Sequence, residues 1–198
     1  NLAVNFNASS AGALTGQAVH IANNFDNVQD QTIEIAGAAF NAAVGNATPS
    51  PTVNLGNARI DAAQFGTNFN VTNMATAGVF SEDLNASFGG STGAVSNNGG
   101  TISGLVAGSS NGSAMGAFLD TTTAGAKSGT VTLNYQTAGT VNGVSNGLGT
   151  ASAGSQDITV SGNVYRLAEG SATPAPVNFG NVHLNDLVTQ SLTVSNTA

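Results

Sequence analysis

All four prolines of this 198-residue chain fall in two copies of one phrase. The first copy runs from Gln31-Thr32-Ile33-Glu34-Ile35-Ala36-Gly37 through Thr48-Pro49-Ser50-Pro51 to Val53-Asn54-Leu55-Gly56-Asn57. The second runs from Gln156-Asp157-Ile158-Thr159-Val160-Ser161-Gly162 through Thr173-Pro174-Ala175-Pro176 to Val177-Asn178-Phe179-Gly180-Asn181. With Thr52 skipped as a one-residue insertion, 13 of 26 aligned positions are identical at an offset of 125 residues, which becomes 124 past Thr52. A repeat of this length predicts a stretch of an array and disfavours a self-contained enzyme.

The repeat extends beyond the prolines. Asn68–Ala75 aligns with Ser191–Ala198 at an offset of 123, and Leu2, Val4 and Phe6 align with Val131, Leu133 and Tyr135 at an offset of 129. These matches predict one complete unit over residues 51–172. Residues 1–50 read as the C-terminal strands of a preceding unit, and residues 173–198 as the N-terminal strands of a following one. Each Pro-x-Pro then marks a junction, because two prolines stiffen a linker and cannot donate to a sheet.

Hydrophobic period decides the class. Leu2–Phe6, Gln31–Ile35, Asn68–Val71, Thr130–Tyr135, Gln156–Val160 and Ser191–Val194 all alternate apolar with polar residues, as half-buried strands do. The Asn-Gly pairs at 98–99, 111–112, 142–143 and 146–147 suit tight turns with positive φ. Short alternating strands broken by Gly and Asn predict an all-β, antiparallel β-sandwich in tandem repeats. The alternative all-β fold is a β-solenoid, which needs a period of about 20–30 residues that this sequence lacks.

Composition excludes several functions. Only 7% of residues are charged, the net charge is −7, and the basic residues are Arg59, Lys127 and Arg166. Three cations cannot track a phosphate backbone or an anionic membrane surface. No apolar run reaches the roughly 20 residues of a spanning helix. There is no cysteine, hence no disulfide framework or thiolate chemistry. Scarce lysine with abundant Asn, Thr, Gly and Ala fits a secreted bacterial surface protein. The chain starts at Asn1 without a signal peptide, as a processed or excised segment would.

Ala175-Pro176-Val177-Asn178-Phe179-Gly180-Asn181-Val182, followed after a polar gap by Ser191-Leu192-Thr193-Val194-Ser195-Asn196-Thr197, resembles the opening of choice-of-anchor D repeats of bacterial surface proteins, relatives of the Hydin-like immunoglobulin-fold domains. In that family Phe-Gly opens the first strand and Asn closes the second. The last strand ends on Gly, as in Ile158–Gly162 and Ile33–Gly37. Leu55 stands where the family usually has Phe, and residues 76–127 carry little of the likeness. The resemblance implies an Ig-like β-sandwich in a long extracellular protein, often tethered to the cell surface. It implies no catalytic residues.

Candidate chemistry is sparse. His20 and His183 are the two histidines and do not occupy equivalent repeat positions. No Gly-x-Ser-x-Gly elbow leads from a strand into a helix, so a Ser-His-Asp triad has no support. Glu82 and Asp83 are neighbours that on a strand would point to opposite faces, unlike a glycosidase pair. The densest oxygen cluster is Asp26 and Asp30 with Asn23, Asn24 and Asn27, a weak candidate for calcium without the regular Asp-x-Asp-x-Asp-Gly loop. No other cofactor is expected. Tyr135 and Tyr165 read as core aromatics whose repeat partners are Phe6 and Phe40, and no aromatic platform for sugars stands out.

These readings converge on an extracellular structural or adhesive module of the bacterial cell surface, not an enzyme. Its part-units expose strand edges, which are templates for pairing. They are expected to engage neighbouring copies of the chain or adjacent repeats, head to tail by strand complementation. The alternative is a surface module that binds calcium or host and matrix glycans.

Overall fold

A computed structural model describes residues 3–198, which form strands and no helix, as the periodicity predicts. The strands are β1 (Gly12–Ile21), β2 (Gln31–Ala39), β3 (Gly45–Thr48), β4 (Thr52–Arg59), β5 (Gly66–Asn73), β6 (Leu84–Ser91), β7 (Val95–Asn97) and β8 (Ile102–Leu105). They continue with β9 (Ser110–Leu119), β10 (Gly125–Thr137), β11 (Thr140–Val141), β12 (Val144–Ser145), β13 (Ala151–Tyr165), β14 (Gly170–Thr173) and β15 (Thr193–Asn196).

Two sheets enclose one core. One has the order β4-β13-β10-β6-β8, the other β3-β5-β9-β7. The period-two pattern sorts the faces. Val131, Leu133 and Tyr135 of β10, Ile158 and Val160 of β13, and Phe69 and Val71 of β5 are buried together with Leu84 and Met115. Polar residues alternate with them toward water. The strands stack as facing sheets and not as the successive coils of a solenoid.

One pairing departs from the antiparallel expectation. β4 runs parallel to β13, with Val53 beside Val160. The cause is a crossing early in the unit. β3 pairs with β5 in one sheet, the chain passes through Pro49-Ser50-Pro51, and β4 joins the other sheet alongside the last strand. The proline phrase therefore links two strands of one sandwich, and β3 lies upstream of the boundary expected at residue 50. The X–Pro peptide bonds of both phrases are cis.

The turns are partly as expected. Asn142-Gly143 closes the β11–β12 hairpin with both φ angles positive, at 50° and 79°, the pattern of a type I′ turn. At 98–99 and 146–147 only the glycine is left-handed, and Asn111-Gly112 lies inside β9.

The flanks reproduce pairings of the sandwich. β14 pairs with β15 through Gly170↔Asn196, Ala172↔Val194 and Thr173↔Thr193. Shifted by the repeat offsets, these are Gly45↔Asn73, Ala47↔Val71 and Thr48↔Asn70 of β3 and β5. Upstream, β1 pairs with β2 through Gly12↔Ala39 and Val19↔Ile33, as β10 pairs with β13 through Gly125↔Val164 and Val131↔Ile158.

This second correspondence corrects the alignment of the first residues. β1, not residues 2–6, is the counterpart of β10. Ala11-Gly12-Ala13-Leu14-Thr15-Gly16 matches Ala124-Gly125-Ala126-Lys127-Ser128-Gly129 at an offset of 113. That offset places Phe6 on Leu119, and Phe6 does lie over Gly37 as Leu119 lies over Gly162. Leu2 is outside the described residues, and Ala3–Phe6 belong to no strand. Alternation alone cannot tell one half-buried strand from the next, so the pattern of residues 2–6 matches that of β10 without sharing its place. The offset rises from 113 at β10 to 125 at β13 because additional residues between them form the β11–β12 hairpin.

Candidate functional site

The most elaborate polar structure lies where the chain enters the sandwich from β2. Asn73, the last residue of β5, is fully buried. Its Nδ2 donates to the carbonyls of Glu82 (2.9 Å) and Leu105 (3.0 Å). Its Oδ1 accepts from the amides of Val44 and Ala75, both at 3.2 Å. One side chain thus ties together the approach to β3 and the ends of three other segments. Asn196 repeats part of this buckle, its Oδ1 accepting from the amides of Glu169 (3.0 Å) and Ala198 (3.2 Å), the counterparts of Val44 and Ala75.

Beside Asn73 the chain clasps its own upstream segment. The Asn41 amide donates to the Phe80 carbonyl at 2.8 Å, and the Glu82 amide to the Asn41 carbonyl at 3.0 Å. The rings of Phe40 and Phe80 meet at 5.5 Å between centroids, tilted by 52°.

Glu82 and Asp83 correct a sequence expectation. They precede β6 and do not lie in a strand, and both carboxylates reach the segment between β10 and β13. Asp83 accepts from the Thr140 hydroxyl (2.7 Å) and from the amides of Asn142 (3.1 Å) and Gly143 (2.8 Å). Glu82 accepts from the hydroxyl of Thr137 and from Nδ2 of Asn146 at 2.5 Å. Both residues are buried, and neither makes an ion pair among the described residues. Hydroxyl and amide donors carry their solvation instead, which is the arrangement that makes a buried carboxylate tolerable. The two acids hold the β11–β12 hairpin against the sandwich.

Gln156 performs a comparable task between the sheets. Its Oε1 accepts from the Ala47 amide (2.8 Å), its Nε2 donates to the Ala47 carbonyl (3.0 Å), and the Tyr135 hydroxyl donates to the same Oε1 at 2.8 Å. Burial pushes the Tyr135 phenol up to about 12. Tyr135 is a core aromatic as expected, but Tyr165 is 55% exposed and is not. It ends β13 at the surface, whereas its repeat partner Phe40 has Phe80 to pack on.

The remaining candidates are scattered on the surface. Asp26 and Asp30 share the loop between β1 and β2. Asp30 accepts from the Asn23 amide at 3.0 Å and stands 3.6 Å from Nε2 of His20, while Asp26 is exposed and makes no side-chain hydrogen bond among the described residues. His183 stands 3.5 Å from Asp186 in an exposed pair. Lys127 approaches Asp120 at 3.6 Å and Thr123 at 2.6 Å. Hydrogen bonds from the backbone and then the side chain of Thr122 hold the Asp120 carboxyl below its usual value, with Lys127 adding to this. Among the described residues no three His, Asp or Glu side chains gather as a metal cage, and no helix is long and apolar enough to cross a membrane.

The most distinctive surface lies on the flanking hairpins, where exposed edges were expected but exposed core faces were not. Residues that fill the core of the sandwich have exposed counterparts in the flanking hairpins. Val71 is fully buried but Val194 is 76% exposed, Phe69 is fully buried but Leu192 is 52% exposed, and Ile158 is fully buried but Ile33 is 52% exposed. Val4 and Phe6, together with Leu14, Ile33 and Ile35 of the upstream hairpin, line an open groove of about 670 Å³. Burial could not be read from sequence, because the strands carry the same pattern whether or not a second sheet covers them. In comparison with known proteins, no family model matches the chain, and no curated protein matches it.

Proposed function

We propose that this chain is part of an extracellular array of immunoglobulin-like sandwiches on a bacterial surface, where it acts as a structural and adhesive spacer. The sheet β3-β5-β9-β7 corresponds to the ABED sheet of such domains, and β6, β10 and β13 to their C, F and G strands. β4 and β8 extend the second sheet at its two edges. The repeated registers supply the array, since β14–β15 opens another unit in the manner of β3–β5. The carrying observation is that recurrence together with its Asn73/Asn196 buckle.

The clasp of Asn41 on Phe80–Glu82 supports a load-bearing role. It fastens the incoming strand to the sandwich through backbone hydrogen bonds that must break together. The low charge and the Asn, Ser and Thr coat suit an inert, soluble exterior.

Stretching the 198-residue chain from its ends tests the reading. The flanking hairpins should open at low force. The sandwich should then unfold in one cooperative event that releases about 400 Å, at ~3.4 Å per residue of extended chain. Smooth extension with no such event would overturn the proposal.

A further inference from the structure

We infer that the apolar face of the β1–β2 hairpin is a docking surface for residues 170–196 of a second copy of this chain. The inference rests on the reading of the chain as tandem units and adds the partner, the strands and the register.

Complementarity follows from the complete sandwich. There, β10 and β13 are covered by the sheet β3-β5-β9-β7, and β4 flanks β13. β1 and β2 keep the β10–β13 register, and β14 and β15 keep the β3–β5 register. Each hairpin therefore presents a face that the other type helps to cover in the core. Ile33 and Ile35 stand for Ile158 and Val160, while Ala172, Leu192 and Val194 stand for Ala47, Phe69 and Val71.

The groups that would make the edge contacts are in place as well. Val53 lies beside Val160 in the parallel pair, so Val177 takes the place beside Ile35. Asn178 already accepts from the Gly180 amide at 2.8 Å, the turn that Asn54 and Gly56 make at 2.8 Å within β4. Gln31 stands where Gln156 grips the Ala47 backbone, and Ala172 supplies the same backbone groups. A strand added to an open edge gains main-chain hydrogen bonds, and alternate side chains give it register.

Among the described residues the composite has no counterparts of β6, β7, β8 and β9, and β1 pairs with β2 alone. Association is accordingly weak and concentration-dependent. The contact joins unlike surfaces, so it propagates as an open chain of copies.

The chain has no cysteine, which makes crosslinking clean. Ile35→Cys and Val177→Cys introduced together should, on oxidation, give a ladder of disulfide-linked oligomers that grows with protein concentration. The off-register pair Ile35→Cys with Asn181→Cys should lose most of the ladder. Sedimentation of the unaltered sequence should show matching self-association, abolished by Val194→Asp, which leaves the central core untouched. Monomer only, a crosslink within one chain, or equal ladders from both cysteine pairs would overturn the inference. A single unfolding event under force beside any of these results would leave the proposed function standing while the docking fails.

Discussion

Asn73 satisfies four backbone groups with one amide, so its removal is costly in a way no surface residue can match. Asn73→Ala strands two carbonyls and two amides in or near the core, at about 1–3 kcal/mol for each group left unpaired and buried. Partial relaxation and water entry reduce the total, and an overall loss of about 3–4 kcal/mol is the expected outcome in urea unfolding. Asn196→Ala touches exposed groups and should change the same transition by less than about 0.5 kcal/mol. Tyr135 adds a pH dependence whose sign is fixed by burial. The folded phenol titrates at about 12, above its ordinary value of 10.0. Below both values the hydroxyl is protonated in either state and its contribution is intact. As pH rises from about 10 to about 12, the unfolded chain loses the proton and the folded one retains it, so stability falls by on the order of 2 kcal/mol. Urea midpoints measured across that window should drop, and Tyr135→Phe should flatten the drop.

At the scale of elements, Gly45 and Asp83 show how local chemistry selects neighbours. A Cβ at Gly45 would sit 2.3 Å from the Tyr135 ring, whereas its counterpart Gly170 has nothing within 4 Å. Gly45→Ala should therefore separate β3 from the core and lower the melting temperature, while Gly170→Ala should leave it nearly unchanged. Asp83 holds the β11–β12 hairpin through two amides and a hydroxyl. Asp83→Ala should release residues 138–150 to limited proteolysis with little cleavage elsewhere, as expected of a hairpin too short to stand alone. The elements were largely legible in the sequence: alternation marked β10, β13, β5 and β2, and Asn142-Gly143 marked one tight turn with positive φ. The β3-to-β4 crossing was not legible, because Pro-x-Pro reads alike as a linker between domains or as a break within one. Nor was the buried role of Glu82 and Asp83, since neighbours on a strand would point to opposite faces, and nothing local shows the hairpin that solvates both.

At the scale of the whole molecule, stability is distributed unevenly along one repeating pattern. β10 and β13 lie inside a sheet and under a second one, so their amides open only with the sandwich. β1, β2, β14 and β15 make two-stranded sheets with exposed apolar faces, and an isolated hairpin in water is marginal. Hydrogen exchange at low protein concentration should separate the two classes. Amides of β10 and β13 should be protected to the level of global unfolding, and those of β1–β2 and β14–β15 should exchange by local opening. The experiment is sharpest at equivalent positions, Val131 against Val19 and Val71 against Val194, which share a register and differ in what covers them. Raising the concentration should bring protection to Ile33 and Ile35 together with Val194, because burial of one face requires the other. Protection that stays flat with concentration in both hairpins would mean that register and hydrophobic pattern are insufficient to recruit a covering sheet. Covering would then depend on β6, β7, β8 and β9, which among the described residues belong to the central sandwich alone.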